Sequence, residues 1–176
     1  MSTHSSFIDH WLKATRTAVI EVLGGILETE AEDVVIAQGA ELPAGDRHGA
    51  FVSIVGEDLC VQIGLAMNWD DCERMTRIMF QMDDGDPVEH DEVIDALGEM
   101  VNIIGGNAKR QGLDSSAGVE LGLPLHFQGR LVVTGRQCLC VMHASCKGIS
   151  FDVAVIMGDQ SLYYADETGE HLQANR

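Results

Sequence analysis

The sequence predicts an α+β fold, a two-layer α/β arrangement in which long helices pack on one face of an antiparallel-rich sheet. Three observations carry this expectation. Apolar residues recur at helical spacing in three separate segments. Alternating apolar runs come in pairs joined by short turn signals, which is the mark of antiparallel hairpins. The order of elements also repeats: a helix followed by three strands over residues 5–67 returns as a helix followed by three strands over 88–157. The predicted architecture is therefore a pseudo-twofold repeat, although the two halves share little residue identity.

The elements follow in order. Residues 5–23 place Ile8, Trp11, Leu12, Val19, Val22 and Leu23 on one side of a helix, and Gly24-Gly25 is expected to stop it. Val34–Ala37 is a short strand. Phe51–Val55 and Leu59–Met67 are strands joined by the turn Gly56-Glu57-Asp58. In the second of them Leu59, Val61, Ile63, Leu65 and Met67 share one face. Trp69–Met82 reads as the connecting helix, with Asn68 or Asp70 at its cap. Asp83-Asp84-Gly85-Asp86-Pro87 breaks the chain and brings negative charge to the start of the next helix, where the dipole favours it. That helix runs from about Val88 to Gln111, with Gly112 as its stop. Val119–Phe127 is a strand region interrupted by Pro124, and Gln137–Ala144 pairs with Ile149–Met157 around Lys147-Gly148. Residues 1–158 are read as one domain and 159–176 as a polar tail.

Composition narrows the function. The chain has 176 residues, with 28 acidic against 11 basic side chains and a formal net charge of −17. One domain of that size buries about 70% of its unfolded surface. The negative charge argues against nucleic acid, whose binders present basic patches, and equally against an anionic membrane surface. No signal-peptide pattern opens the chain, and no apolar run reaches the ~18 residues of a spanning helix. The expected compartment is the cytoplasm. Cys60, Cys72, Cys138, Cys140 and Cys146 lack Cys-x-x-Cys spacing and read as small buried thiols. His126 and His143 read as structural or surface residues, and no metal site is expected.

One stretch stands apart: Glu99-Met100-Val101-Asn102-Ile103-Ile104-Gly105-Gly106-Asn107-Ala108-Lys109. Ile94, Leu97, Val101, Ile104 and Ala108 form the apolar stripe of a packed helix. At roughly 100° per residue, Asp95, Glu99, Asn102 and Gly106 fall on the opposite side. Glu99 and Asn102 are i, i+3 neighbours and project together. Each helical glycine costs on the order of 1 kcal/mol relative to alanine, so Gly105-Gly106 points to close approach of the backbone by something else. Gly105 lies nearer the core, where helix packing is sufficient reason. By periodicity alone, Glu99 and Asn102 fit a solvated polar face at least as well as a site.

The Glu-x-x-Asn pair with its Gly-Asn-Ala-Lys continuation resembles the signature of the CheC/CheX/FliY phosphatases of bacterial chemotaxis. The single copy and the chain length are most similar to CheX. The general order of elements over about residues 5–158 agrees with that family's pseudo-twofold α/β architecture. Members with two sites carry one Glu-x-x-Asn on each equivalent helix. The first helix here has no Asn three residues after a Glu, so the resemblance implies one site per protomer.

The resemblance implies hydrolysis of the aspartyl phosphate of a CheY-like receiver domain. Asn102 would orient the water and Glu99 would engage the receiver's active-site lysine. Mg²⁺ would be held by the receiver, with no cofactor on this chain. Asp95, Gly106, Asn107 and Lys109 are further candidates for docking the substrate protein. For Asn107 a structural hydrogen bond is the stronger expectation, and Lys109 suits a helix C-terminus as well as substrate approach. The resemblance also implies a homodimer. Two other classes compete: a non-catalytic receiver-binding or scaffold module, and an unrelated oligomerisation domain in which Glu99 and Asn102 are buried or do not share an exposed helix.

Overall fold

In the computed structural model, residues 3–39, 45–57, 59–83, 85–113, 118–132 and 137–158 are described. The expected tail 159–176, and Asp58 and Asp84 of the expected turns, lie outside them. The elements are α1 (Thr3–Ile26), β1 (Val35–Gly39), β2 (Arg47–Gly56), β3 (Leu59–Met67), α2 (Trp69–Met79), α3 (His90–Gly112), β4 (Glu120–Leu121), β5 (Leu125–Gly129), β6 (Gln137–Cys146) and β7 (Ile149–Gly158).

The strands form one antiparallel sheet in the order β1-β6-β7-β3-β2-β4, with β5 also paired to β2. Reading the sheet from either end gives the same sequence of roles. The last strands of the two halves, β3 and β7, pair at the centre, with Ile63 opposite Val155. The first strand of each half crosses to the other half's hairpin: β1 pairs β6, and β4 and β5 pair β2. The pseudo-twofold repeat is thus an exchange of edge strands, which makes neither half a complete sheet alone.

Strand alternation explains the layering. Val52, Ile54, Val61, Ile63, Leu65, Met67, Val153, Val155 and Met157 share one buried cluster with Trp11, Val19 and Leu23 of α1, Met75 of α2 and Leu97, Met100, Val101 and Ile104 of α3. The helices therefore cover a single face. The intervening strand residues point away from them. On that side Phe51 and Phe127 meet at 6.3 Å, and the buried Asp152 carboxylate accepts from Arg47 Nη2 at 2.7 Å while His143 Nδ1 lies 2.5 Å from its other oxygen. A carboxylate removed from water needs such partners.

Several boundaries differ from expectation. Gly24-Gly25 does not stop α1, which continues to Ile26. The stop is a Schellman turn: Glu28 takes φ 46° and Thr29 N–H donates to Gly24 O at 3.2 Å. α2 ends at Met79 and not Met82, by the same device. Gln81 takes φ 53°, and Met82 N–H donates to Arg77 O at 2.9 Å. The Asn68 cap is present, its side chain accepting from Asp71 N–H at 2.8 Å. Gly112 is the last residue of α3, but the reason for glycine is packing, because a Cβ there would lie 3.1 Å from the Trp11 ring. Pro124 does divide its strand region, into β4 and β5.

Candidate functional site

The site is built on α3. Its start is held by a capping box in which Glu89 caps the helix and Glu92 Oε2 accepts from Glu89 N–H at 2.8 Å. Asp91 and Glu92 in the first turn and Lys109 and Arg110 in the last complement the dipole. Val93, Leu97, Met100, Val101, Ile104 and Ala108 are buried on the sheet side. A helix anchored along its whole length holds its outer face in a fixed geometry, which a site requires.

On that outer face Glu99 is exposed and Asn102 half-buried. Neither side chain hydrogen-bonds to another described residue. The pair is therefore presented outward from one helix, which is the opposite of the buried arrangement an unrelated domain would allow. Asp95 is exposed one turn before Glu99.

The two glycines have separate causes. At Gly105 a Cβ would fall 2.6 Å from Val52 Cγ1 and 3.3 Å from Leu121 Cδ1, so this glycine seats the helix on the sheet. At Gly106 a Cβ would meet only Leu121 Cδ2, at 3.9 Å. That is ordinary contact, so folding alone does not require glycine there.

The remaining candidates are tied into the fold. Asn107 Oδ1 accepts from Arg110 Nη2 at 2.6 Å. Lys109 Nζ donates to Val119 O at 2.6 Å and pins the chain that enters β4. Glu99, Asn102, Asp95 and Gly106 thus share an open face, while Asn107 and Lys109 have hydrogen-bond partners within the chain.

The surroundings hold features that sequence reasoning passed over. The strand region from Leu121 to Pro124 runs beside α3, from Gly105 and Gly106 to Gly98, where a Cβ would lie 3.6 Å from Pro124. At the start of α3, His90 stacks on Trp69 at 5.5 Å, His48 meets Trp69 edge-on at 4.7 Å, and His126 lies 6.1 Å from His90 and 6.4 Å from His48. Burial holds the pKa values of His48 and His126 below the ordinary range; His90 lowers both further, and only Asp46 opposes this, at His48. This cluster joins residues distant in the chain, and no local pattern announces it.

The thiols divide. Cys72 and Cys146 are buried, Cys60 and Cys140 are half-buried, and Cys138 is exposed, so small buried thiols describes only part of the set. Burial, reinforced by Asp71, pushes the Cys72 thiol up to about 12. Burial, reinforced by neighbouring Cys138, pushes Cys140 up to about 11. Neither is an activated nucleophile. Among the described residues no group of three or more His, Cys, Asp or Glu side chains is arranged to hold a metal ion, and no helix is long and apolar enough to cross a membrane.

Comparison with known proteins finds relatives of this fold. A family model described as chemotaxis phosphatase CheX matches residues 48–143, more than half the chain and inclusive of the whole site. No curated protein sequence matches. Among solved structures, a CheC-like superfamily protein from Shewanella sp. PV-4 is similar at TM-score 0.68 and 15% identity, covering 89% of this chain and 99% of that one. The chemotaxis protein CheX from Desulfovibrio desulfuricans is similar at TM-score 0.66 and 14% identity, covering 86% and 99%. CheX in a CheX–CheY–BeF₃–Mg²⁺ complex from Borrelia burgdorferi is similar at TM-score 0.66 and 16% identity, covering 86% and 97%.

Proposed function

We propose that this chain, which belongs to the CheX family of chemotaxis phosphatases, hydrolyses the aspartyl phosphate of a CheY-like receiver domain. The observation that carries the reading is the outward presentation of Glu99 and Asn102, unpartnered among the described residues, from one rigid helix of a CheX fold. The Borrelia relative is complexed with CheY and the phosphate mimic BeF₃, which supports a receiver as the partner.

The chemistry is attack of water on phosphorus. The new P–O bond forms as the bond to the aspartyl oxygen breaks, leaving a carboxylate and inorganic phosphate. Phosphoryl transfer asks for positioning and electrostatics more than covalent work from the protein. The Asn102 carboxamide can both donate and accept, so it can hold a water in line with the leaving oxygen. Glu99 is unsuited to the phosphoryl group itself, because like charges repel. It serves as the acceptor for the receiver's lysine. Gly106 lets the receiver surface reach the helix, and Asp95 lies at the edge of the contact. In this reading the chain has no cofactor of its own and Mg²⁺ is the receiver's. Two copies pair through a sheet edge, for which β1 and the β4–β5 region stand at the outer positions. The setting is cytoplasmic.

The test mixes the purified protein with each phosphorylated receiver of its host and follows phosphate release. A shortened phospho-receiver lifetime is expected. Binding to a beryllofluoride-loaded receiver without faster decay would instead make the chain a non-catalytic receiver-binding module.

A further inference from the structure

The face of the sheet turned away from the helices is buried at its centre, yet no described helix or strand lies over it. The strand register fixes which residues stand there. Val141, Ala154, Gly64 and Phe51 lie side by side across β6, β7, β3 and β2. Asp152 and Ala66 form the row on one side of them, and Ile156 and Gln62 the row on the other. Their strand neighbours Val153, Val155, Ile63 and Leu65 belong to the core under the helices; Val141, Ala154, Ile156 and Ala66 do not.

This second apolar set is nonetheless shut off from solvent. Val141 is 0% exposed, Ala154 3%, Ala66 4% and Ile156 5%. An antiparallel sheet with one face in water turns polar residues to that face. Neighbours within the sheet cannot bury these residues, because strand side chains stand perpendicular to it. Phe127 covers one flank, where a Cβ on Gly49 would fall 2.6 Å from its ring, but it belongs to β5 on the far side of β2. At Gly64 a Cβ would meet Phe51 Cβ at 3.4 Å, Ala50 O at 3.7 Å and Ala154 Cβ at 3.8 Å. Those are ordinary contacts, so the described residues do not require glycine there. A glycine inside a strand with no such requirement marks the close approach of another segment.

We infer that residues 159–176 of this same chain lie across this face as its cover, with Leu162, Tyr163 and Tyr164 over Gly64 and Ala154. The burial is reached within one chain, so the cover is intramolecular. Length selects the segment. The internal stretches outside the described residues have five residues or fewer, and 159–176 has eighteen. Extended at about 3.3 Å per residue it reaches up to about 60 Å. From β6 to β2 is only about 15 Å at a strand spacing of ~4.8 Å. Attachment agrees, since the segment leaves β7 at Gly158, two residues after Ile156. Composition agrees as well. Leu162-Tyr163-Tyr164 follows at once and holds both tyrosines of the chain. A ring over glycine is what Phe127 already provides at Gly49, and tyrosine adds a polar tip that can stay wet.

The two tyrosines make the test direct, because no other residue gives their signal. In the full chain, tetranitromethane should nitrate Tyr163 and Tyr164 at least about 10-fold more slowly than in the urea-unfolded chain, at every protein concentration. Gly64→Leu fills the place of the cover and should restore fast nitration with the circular dichroism spectrum of the sheet retained. A Leu162→Ser, Tyr164→Ser variant leaves the sheet itself untouched, and it decides the matter if Gly64→Leu fails to fold. It should bind several-fold more anilinonaphthalene sulfonate, a dye for exposed apolar surface. Tyrosines as reactive in the folded chain as in the unfolded one overturn the inference. So does protection that persists in a folded Gly64→Leu, or dye binding unchanged in the serine variant. Protection lost on dilution, together with a dimer in sedimentation, overturns it in favour of a second copy as the cover.

Discussion

α1 and α3 are the matching helices of a pseudo-twofold fold, and they differ in what their outer faces carry. Both pack on the same side of the sheet, both begin a half, and both contain a Gly-Gly pair near the C-terminal end. On α3 the free face carries Glu99 and Asn102, with no partner among the described residues. On α1, Glu21 accepts from Gln111 Nε2 at 2.9 Å and so staples one helix to the other. The glycines differ too. Gly105 is pressed against Val52, whereas Gly25 stands over open space. The repeat reproduces the scaffold but not the outer-face pair, because folding constrains the buried stripe and leaves the outer face free to differ.

The sharpest way to break this comparison is Asn102→Ala. Receiver dephosphorylation should fall by about 100-fold or more, some 2.7 kcal/mol of barrier at ~1.36 per decade, with the circular dichroism spectrum unchanged. Glu99→Ala should cost a similar amount in kcat/KM, part of it as a rise in KM. Normal rates in both variants would leave α3 no different from α1.

Next comes the buried glycine. Gly105→Val should lower unfolding free energy by about 1–3 kcal/mol in urea titration, because the new side chain must displace Val52 or lift the helix. Gly106→Ala should leave stability equal or higher. Equal losses at both positions would contradict the separate causes assigned to them.

The histidines at the start of α3 give a pH-dependent comparison with the start of α1. The folded-state pKa values of His48 and His126 lie below the unfolded value of about 6.5, so the unfolded chain binds more protons as pH falls. The neutral rings cost nothing above that value. Stability should decline as pH drops from about 6.5 through the lowered folded values, and a double His48→Phe, His126→Phe variant should show a flatter Tm profile. An identical slope in the variant would place the sensitivity elsewhere. The smallest effect is expected at Glu21→Ala: stability within ~0.5 kcal/mol and an unchanged dephosphorylation rate.

Most of the fold was legible because its elements are amphipathic. The alternation of Leu59 to Met67 marks a strand with one buried face, and that strand has those boundaries. The outward pairing of Glu99 and Asn102 follows from a 3.6-residue period with Leu97, Val101 and Ile104 on the other side. Helix ends were less legible. Gly24-Gly25 looks like a stop, yet α1 runs on to Ile26 and α2 ends at Met79, each closed by a turn at Glu28 or Gln81, whose left-handed backbone no residue type announces. Lys109 illustrates the same limit, since its partner is a carbonyl ten residues on, across residues that carry no pattern.

The sequence alone determined the layers, the acidic surface, the single Glu-x-x-Asn motif and the family it resembles, because each is written in local period or composition. The tertiary structure alone decided the exchange of edge strands, the division of labour between Gly105 and Gly106, the histidine cluster and the buried far face of the sheet. These depend on contacts between residues far apart in the chain, where side-chain volume and backbone direction, and not periodicity, set what meets what.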